Sequence, residues 1–149
     1  MLIDEKLALY QAYGVTPLFG GMVFENAFVR GKIDAFVDYV RQKAVAVEIS
    51  DSMVAVPKDV RLAVITRLRD AGLKAFVEVG RKYAKSPLSV DAMVSDIDDL
   101  TQHGVDHIIL ERGEIDYLLG SRGEINVAVE LRELFDRVGR NRIFAEVEK

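Results

Sequence analysis

The sequence predicts a parallel α/β fold, and three observations carry that expectation. First, four short apolar runs each close on a glutamate: Ala44-Val-Ala-Val-Glu48, Lys74-Ala-Phe-Val-Glu78, His107-Ile-Ile-Leu-Glu111 and Arg142-Ile-Phe-Ala-Glu146. Continuous apolar runs of this length, rich in β-branched residues, are the mark of strands buried on both faces. Second, those glutamates are separated by 30, 33 and 35 residues. Third, each run follows a stretch with helical periodicity, usually stopped by glycine. A helix-turn-strand unit repeated at this spacing builds a parallel sheet with right-handed crossovers.

Taken in order, residues 3–13 read as a helix with Ile3, Leu7 and Tyr10 on one face and Gly14 as its stop. Val15 to Phe19 is a strand candidate despite Pro17, which has no N–H for a ladder. Gly20-Gly21 makes a corner, and a helical pattern runs from about Phe24, breaks at Gly31 and resumes through Ile33, Phe36, Val37 and Val40. Ala44 to Ile49 is the second strand, ending in Ser50-Asp51-Ser52. Pro57 suits the first turn of a helix to Ala71, with Gly72 ending it before the third strand, Leu73 to Val79. Ser89 is placed as the N-cap of a helix to His103, with Asp91 in its first turn and Gly104 after its end. Val105 to Leu110 is the fourth strand. Segment 112–125, with Gly113, Gly120 and Gly123, reads as turns. Asn126 then caps a helix to Val138, and Arg142 to Val147 is the fifth strand. Phe36, Tyr39, Phe76 and Phe144 fit core packing, and the two histidines, His103 and His107, read as structural.

Composition narrows the function. The chain has 149 residues, half of them hydrophobic, enough for one domain with a substantial core. A net charge of −4, with acids and cations interspersed, argues against a nucleic-acid surface. With no cysteine there is no thiolate metal site and no thiol nucleophile, and two histidines leave little for a His-based cluster. No apolar run approaches the roughly 20 residues that span a bilayer. Asp4 and Glu5 stand where a signal peptide would be basic, so a cytoplasmic protein is expected.

Two architectures accommodate the repeat: a (β/α)8 barrel and a doubly wound open sheet. Both place their chemistry at the carboxyl ends of the strands, where the glutamates fall. A complete barrel typically takes about 250 residues. Five strands would leave two parallel edges unpaired, which favours association, so a homo-oligomer is expected.

Several motifs resemble the phosphosulfolactate synthases of coenzyme M biosynthesis. The family's Gly-Gly-Thr before an acidic helix start is matched by Gly20-Gly21-Met22 and Glu25. Its Glu-(Ile/Val)-Ser-Asp-Gly strand end is matched by Glu48-Ile49-Ser50-Asp51-Ser52, and its Glu-Val-Gly-Lys-Lys by Glu78-Val79-Gly80-Arg81-Lys82. A fourth motif, beginning Glu-Ala-Arg-Glu, is echoed by Glu111-Arg112-Gly113-Glu114. Met22 for threonine, Ser52 for glycine and Arg81 for lysine are departures. The resemblance covers nearly the whole chain and implies a TIM barrel of which this chain supplies about five of eight strands. It places family strands before residue 1 and a last strand beyond residue 149.

The activity so implied is that of a lyase: magnesium-dependent addition of sulfite to phosphoenolpyruvate. On this reading Glu48, Glu78 and Glu111 are the metal ligands, since Mg²⁺ takes hard oxygen donors, and Glu78 also sits at the reacting centre. Arg81 and Lys82 bind anionic substrate, Arg as a bidentate fork and Lys as a point charge. Lys82, equivalent to the family motif's second lysine, is the candidate proton donor to carbon. Arg112 is a further anion contact or a solvated cation; Ser50 and Asp51 touch substrate or hold their turn. Gly20 and Gly21 let backbone amides approach a phosphate. Plant heat-stress-associated proteins resemble the same family, so a non-catalytic member is the alternative, as is another phosphate-handling barrel enzyme.

Overall fold

A computed structural model describes residues 3–43, 46–80, 86, 88–119 and 128–146. The strands are β1 (Leu18–Phe19), β2 (Ala46–Ile49), β3 (Lys74–Val79), β4 (His107–Leu110) and β5 (Ile143–Ala145). They form one sheet in the order β1-β2-β3-β4-β5, every neighbouring pair parallel. A doubly wound sheet reverses its strand order at a switch point. This sheet does not reverse, so its crossovers all turn the same way and it has the winding of a barrel wall.

The helices are α1 (Ile3–Ala12), α2 (Gly21–Val29), α3 (Ile33–Val40), α4 (Lys58–Asp70), α5 (Val90–Gln102), α6 (Arg112–Leu119) and α7 (Ala128–Val138). Local signals set their ends. Ser89 caps α5, its Oγ accepting from the Ala92 N–H at 3.2 Å. Past α4, Gly72 takes φ +76°, a conformation that favours glycine. Segment 112–119 is helical rather than a set of turns: Glu114 and Leu118, one turn apart, are buried, and Gly113 falls in the first turn, where its cost is small.

Strand side chains alternate between two environments. Val47, Ile49, Ala75, Val77, Val79, Ile108 and Leu110 point toward the helices and are essentially buried, packed with Phe24, Ile65, Leu68, Met93, Ile97 and Leu100. Glu48, Phe76, Glu78, His107, Ile109 and Phe144 occupy the intervening positions, on the inner face. Phe76, His107 and Phe144 stack there with centroids 4.8 to 5.8 Å apart. Phe144 is 51% exposed, so it is not the core residue its alternation suggests. Among the described residues no strand crosses in front of it to close that face. Phe36 does join the helix-side core, while Tyr39 is 40% exposed and meets Phe19 edge-on.

Candidate active site at the carboxyl lip of the sheet

The strands end together on one lip, and the inward-facing residue at or just past the end of each of β2–β5 is a glutamate: Glu48, Glu78, Glu111 and Glu146. All four line an open cavity of about 620 Å³ on the inner face, floored by Phe76, Ile109 and Phe144 and bounded by Gly20, Gly21 and Ser50. Glu78 and Glu111 are buried, at 5% and 3% exposure.

Register decides which acids meet. Glu48 pairs across the ladder with Phe76, and Glu78 with Ile109, so each step sets the next acid two residues farther along its strand. Leu110 pairs with Ala145, which leaves Glu111 and Glu146 level. Barrel strands are tilted and staggered in register, so two two-residue steps followed by none are compatible with acids that share one lip. Carboxylate oxygens of Glu78, Glu111 and Glu146 accordingly lie within 4.8 Å of one another. Glu48 lines the same cavity but stands outside that trio. The sequence placed Glu48, Glu78 and Glu111 together as ligands; the register brings in Glu146, whose place in the repeat was the available signal.

Three carboxyls this close cannot all hold negative charge without compensation. Glu78 is pushed up to about 9, first by burial, then by its hydrogen bond to Glu111 and the negative charges of Glu111, Glu48 and Glu146. Burial raises Glu48 as well; the Gly21 N–H it accepts works against that, and Glu146, Glu25 and Glu111 add to it. The Gly21 amide is thus directed at a carboxylate. A Cβ on Gly21 would collide with Ser50, and one on Gly80 (φ +117°) would meet Glu114 Cγ at 2.5 Å and Glu111 Cβ at 2.8 Å. Both glycines are where the chain must pass close to a lip residue.

Other predicted residues are placed as follows. Ser50 is buried at 2% exposure on the cavity wall and donates its hydroxyl to Glu25. Asp51 faces α4 in an ion pair with Arg61 at 3.6 Å, and Arg61 also reaches Asp96 at 3.6 Å. Arg112 starts α6, its Nε donating to Asp116 at 3.2 Å and its backbone N–H directed at Glu146 at 3.5 Å. Arg81 and Lys82 lie outside the described residues. Two buried acids that the sequence offered only as motif positions, with no role assigned, stand beside the lip. Glu25 is 3% exposed, and Glu114 is fully buried and accepts from the Leu88 N–H at 3.0 Å.

In proteins with a barrel-type parallel wall the strand ends and the loops that follow them form the site, and here the acids gather on that lip. Comparison with known proteins gives the family. Residues 1–149 match the (2R)-phospho-3-sulfolactate synthase (ComA) family, and the chain belongs to it. It is 31% identical over 116 residues to the phosphosulfolactate synthase of Methanocaldococcus jannaschii, covering 76% of this chain and 46% of that protein. It is 27% identical over 150 residues to the phosphosulfolactate synthase of Methanothermobacter thermautotrophicus, covering 97% of this chain and 58% of that protein. The chain therefore spans about half the length of these curated relatives. Among the described residues no helix is long and apolar enough to cross a membrane.

Proposed function

We propose that the chain carries the divalent-metal and enolate-stabilising part of a phosphosulfolactate synthase, a cytoplasmic lyase that joins sulfite to phosphoenolpyruvate. The observation that carries this reading is the convergence of Glu78, Glu111 and Glu146. Their donor atoms are all carboxylate oxygens, with no nitrogen or sulfur in the set, which suits Mg²⁺ and its habit of keeping several waters. The repulsion that keeps a proton on Glu78 is a second point of fit, because a dication would relieve it. Bound there, Mg²⁺ would supply the positive charge that draws an anionic carboxylate to an acidic lip and stabilises negative charge developing on it.

In the addition, the sulfite sulfur bonds to the methylene carbon of phosphoenolpyruvate. The π pair moves onto the adjacent carbon and its carboxylate, and a proton then adds to that carbon. The chain's residues divide this work. Glu78, Glu111 and Glu146 would hold the metal, Glu48 fixes the Gly20-Gly21 corner through the Gly21 N–H, and Arg81 with Arg112 balances phosphate and sulfite charge. Lys82 is the proton donor. Among the described residues β1 and β5 are the edges of the sheet, and such parallel edges favour assembly with further copies as a homo-oligomer.

The test is sulfite-dependent consumption of phosphoenolpyruvate in Mg²⁺, with Glu78→Gln and Lys82→Ala beside the wild type. Turnover that both substitutions reduce at least 100-fold supports the assignment. Equal turnover in all three, or none in any of them, refutes it for this chain.

A further inference from the structure

Glu25 lies one turn into α2 and is only 3% exposed, yet it is not one of the four lip acids. A single oxygen of its carboxylate, Oε1, collects three donors from the turn after β2. Ser50 Oγ donates a hydrogen bond to it, Ser52 Oγ lies at 3.4 Å and the Met53 N–H at 3.5 Å. Buried carboxylates are costly unless such donors satisfy them, so the turn and the helix hold each other in place. Ser50, itself 2% exposed, lies between this carboxylate and Gly21, whose N–H is directed at Glu48.

We propose that Glu25 is a positioning residue for the metal site: by taking the Ser50 hydroxyl hydrogen, it turns the lone pairs of Ser50 Oγ toward the cavity as an acceptor for a water on a hydrated divalent cation. The inference rests on the metal reading given above. A hydroxyl has one hydrogen to donate and two lone pairs to offer. With the hydrogen committed to Glu25, Ser50 faces the cavity only as an acceptor. It is then unsuited to a phosphate or sulfite oxygen and suited to metal-bound water, which donates. The same bond fixes the wall against which Gly21 and Glu48 sit, so the effect reaches Glu48 as well.

Partners that orient ligands in this way characteristically alter metal affinity by 10–100-fold when removed. The experiment titrates Mn²⁺ into the metal-free full chain, following free Mn²⁺ by electron paramagnetic resonance, with urea denaturation of each metal-free variant in parallel. Glu25→Gln keeps the volume but can donate to Ser50 and reverse its hydroxyl. Glu25→Gln and Ser50→Ala should each weaken Mn²⁺ binding about tenfold, and the double variant no further than the weaker single, because the two residues act as one unit. Ser50→Ala reads the same point if Glu25→Gln does not fold. A residue that merely supports the fold would lower the urea midpoint and leave the Mn²⁺ affinity of the folded chain unchanged; that result overturns the proposal. So does a double variant whose loss is the product of the singles. Wild-type protein that takes up no Mn²⁺ overturns the metal reading itself, and this inference with it.

Discussion

Replacing Glu78 by glutamine removes the charge of that carboxyl and keeps its shape. In the metal-free protein Glu78 is pushed up to about 9, first by burial and then by Glu111, Glu48 and Glu146, whereas its ordinary value is 4.5. Between those two values the folded chain holds a proton that the unfolded chain has released. A raised folded-state value means stability is fully present below 4.5 and is lost as pH climbs toward 9. Linkage for one proton is about 1.4 kcal/mol per pH unit, so wild type should lose about 3 kcal/mol from this group between pH 5 and 7. Glutamine is neutral throughout and can donate to Glu111 as the protonated acid does. The stability of Glu78→Gln relative to wild type should therefore rise by about 3 kcal/mol over that range, roughly 6–12 °C in Tm for a chain of this size. Urea denaturation in chelator at pH 5, 6 and 7 measures it. Saturating Mn²⁺ should then offset most of that difference at pH 7, since a ligand at 100 times its Kd stabilises by about 2.7 kcal/mol and only wild type retains the full carboxylate set. A stability difference that stays flat from pH 5 to 7 would refute the argument that crowded, buried acids hold this proton.

Three further substitutions test the frame around the lip. Gly80→Ala places a Cβ against Glu114 and Glu111 at φ +117°, and should cost about 3 kcal/mol by urea denaturation while also weakening Mn²⁺ binding. Arg61→Ala leaves Asp51 and Asp96 without the buried guanidinium between them; their partial exposure limits the loss to about 2 kcal/mol in the same measurement. Ser89→Ala removes the hydroxyl that caps α5 and should lower stability by about 1 kcal/mol, with Mn²⁺ affinity unchanged because the cap lies away from the lip acids.

How much of this was legible in the sequence depends on the range of the interaction. Runs such as Ala75-Phe-Val-Glu-Val79 announce a buried strand because each residue reports its own environment, and β3 forms as those residues predict. The lip acids were legible for the same reason: each terminates a run whose parity alone decides which face it takes. Register is different. That Glu78, Glu111 and Glu146 converge depends on how β3 pairs with β4 and β4 with β5, and no run encodes the offset to its neighbour. Glu25 was hidden more deeply. On the chain it is only the acid that follows the Gly20-Gly21-Met22 motif, and the contact that buries it appears when Ser50, 25 residues away, donates to it and packs against Gly21. Segment 112–119 was missed through composition, since Gly113 outweighed a buried face, Glu114 and Leu118, that only the neighbouring elements create. The unclosed inner face follows from the same distinction. Phe144 has the alternation of a core residue, but alternation fixes which side of the sheet a ring takes and says nothing about what meets it there.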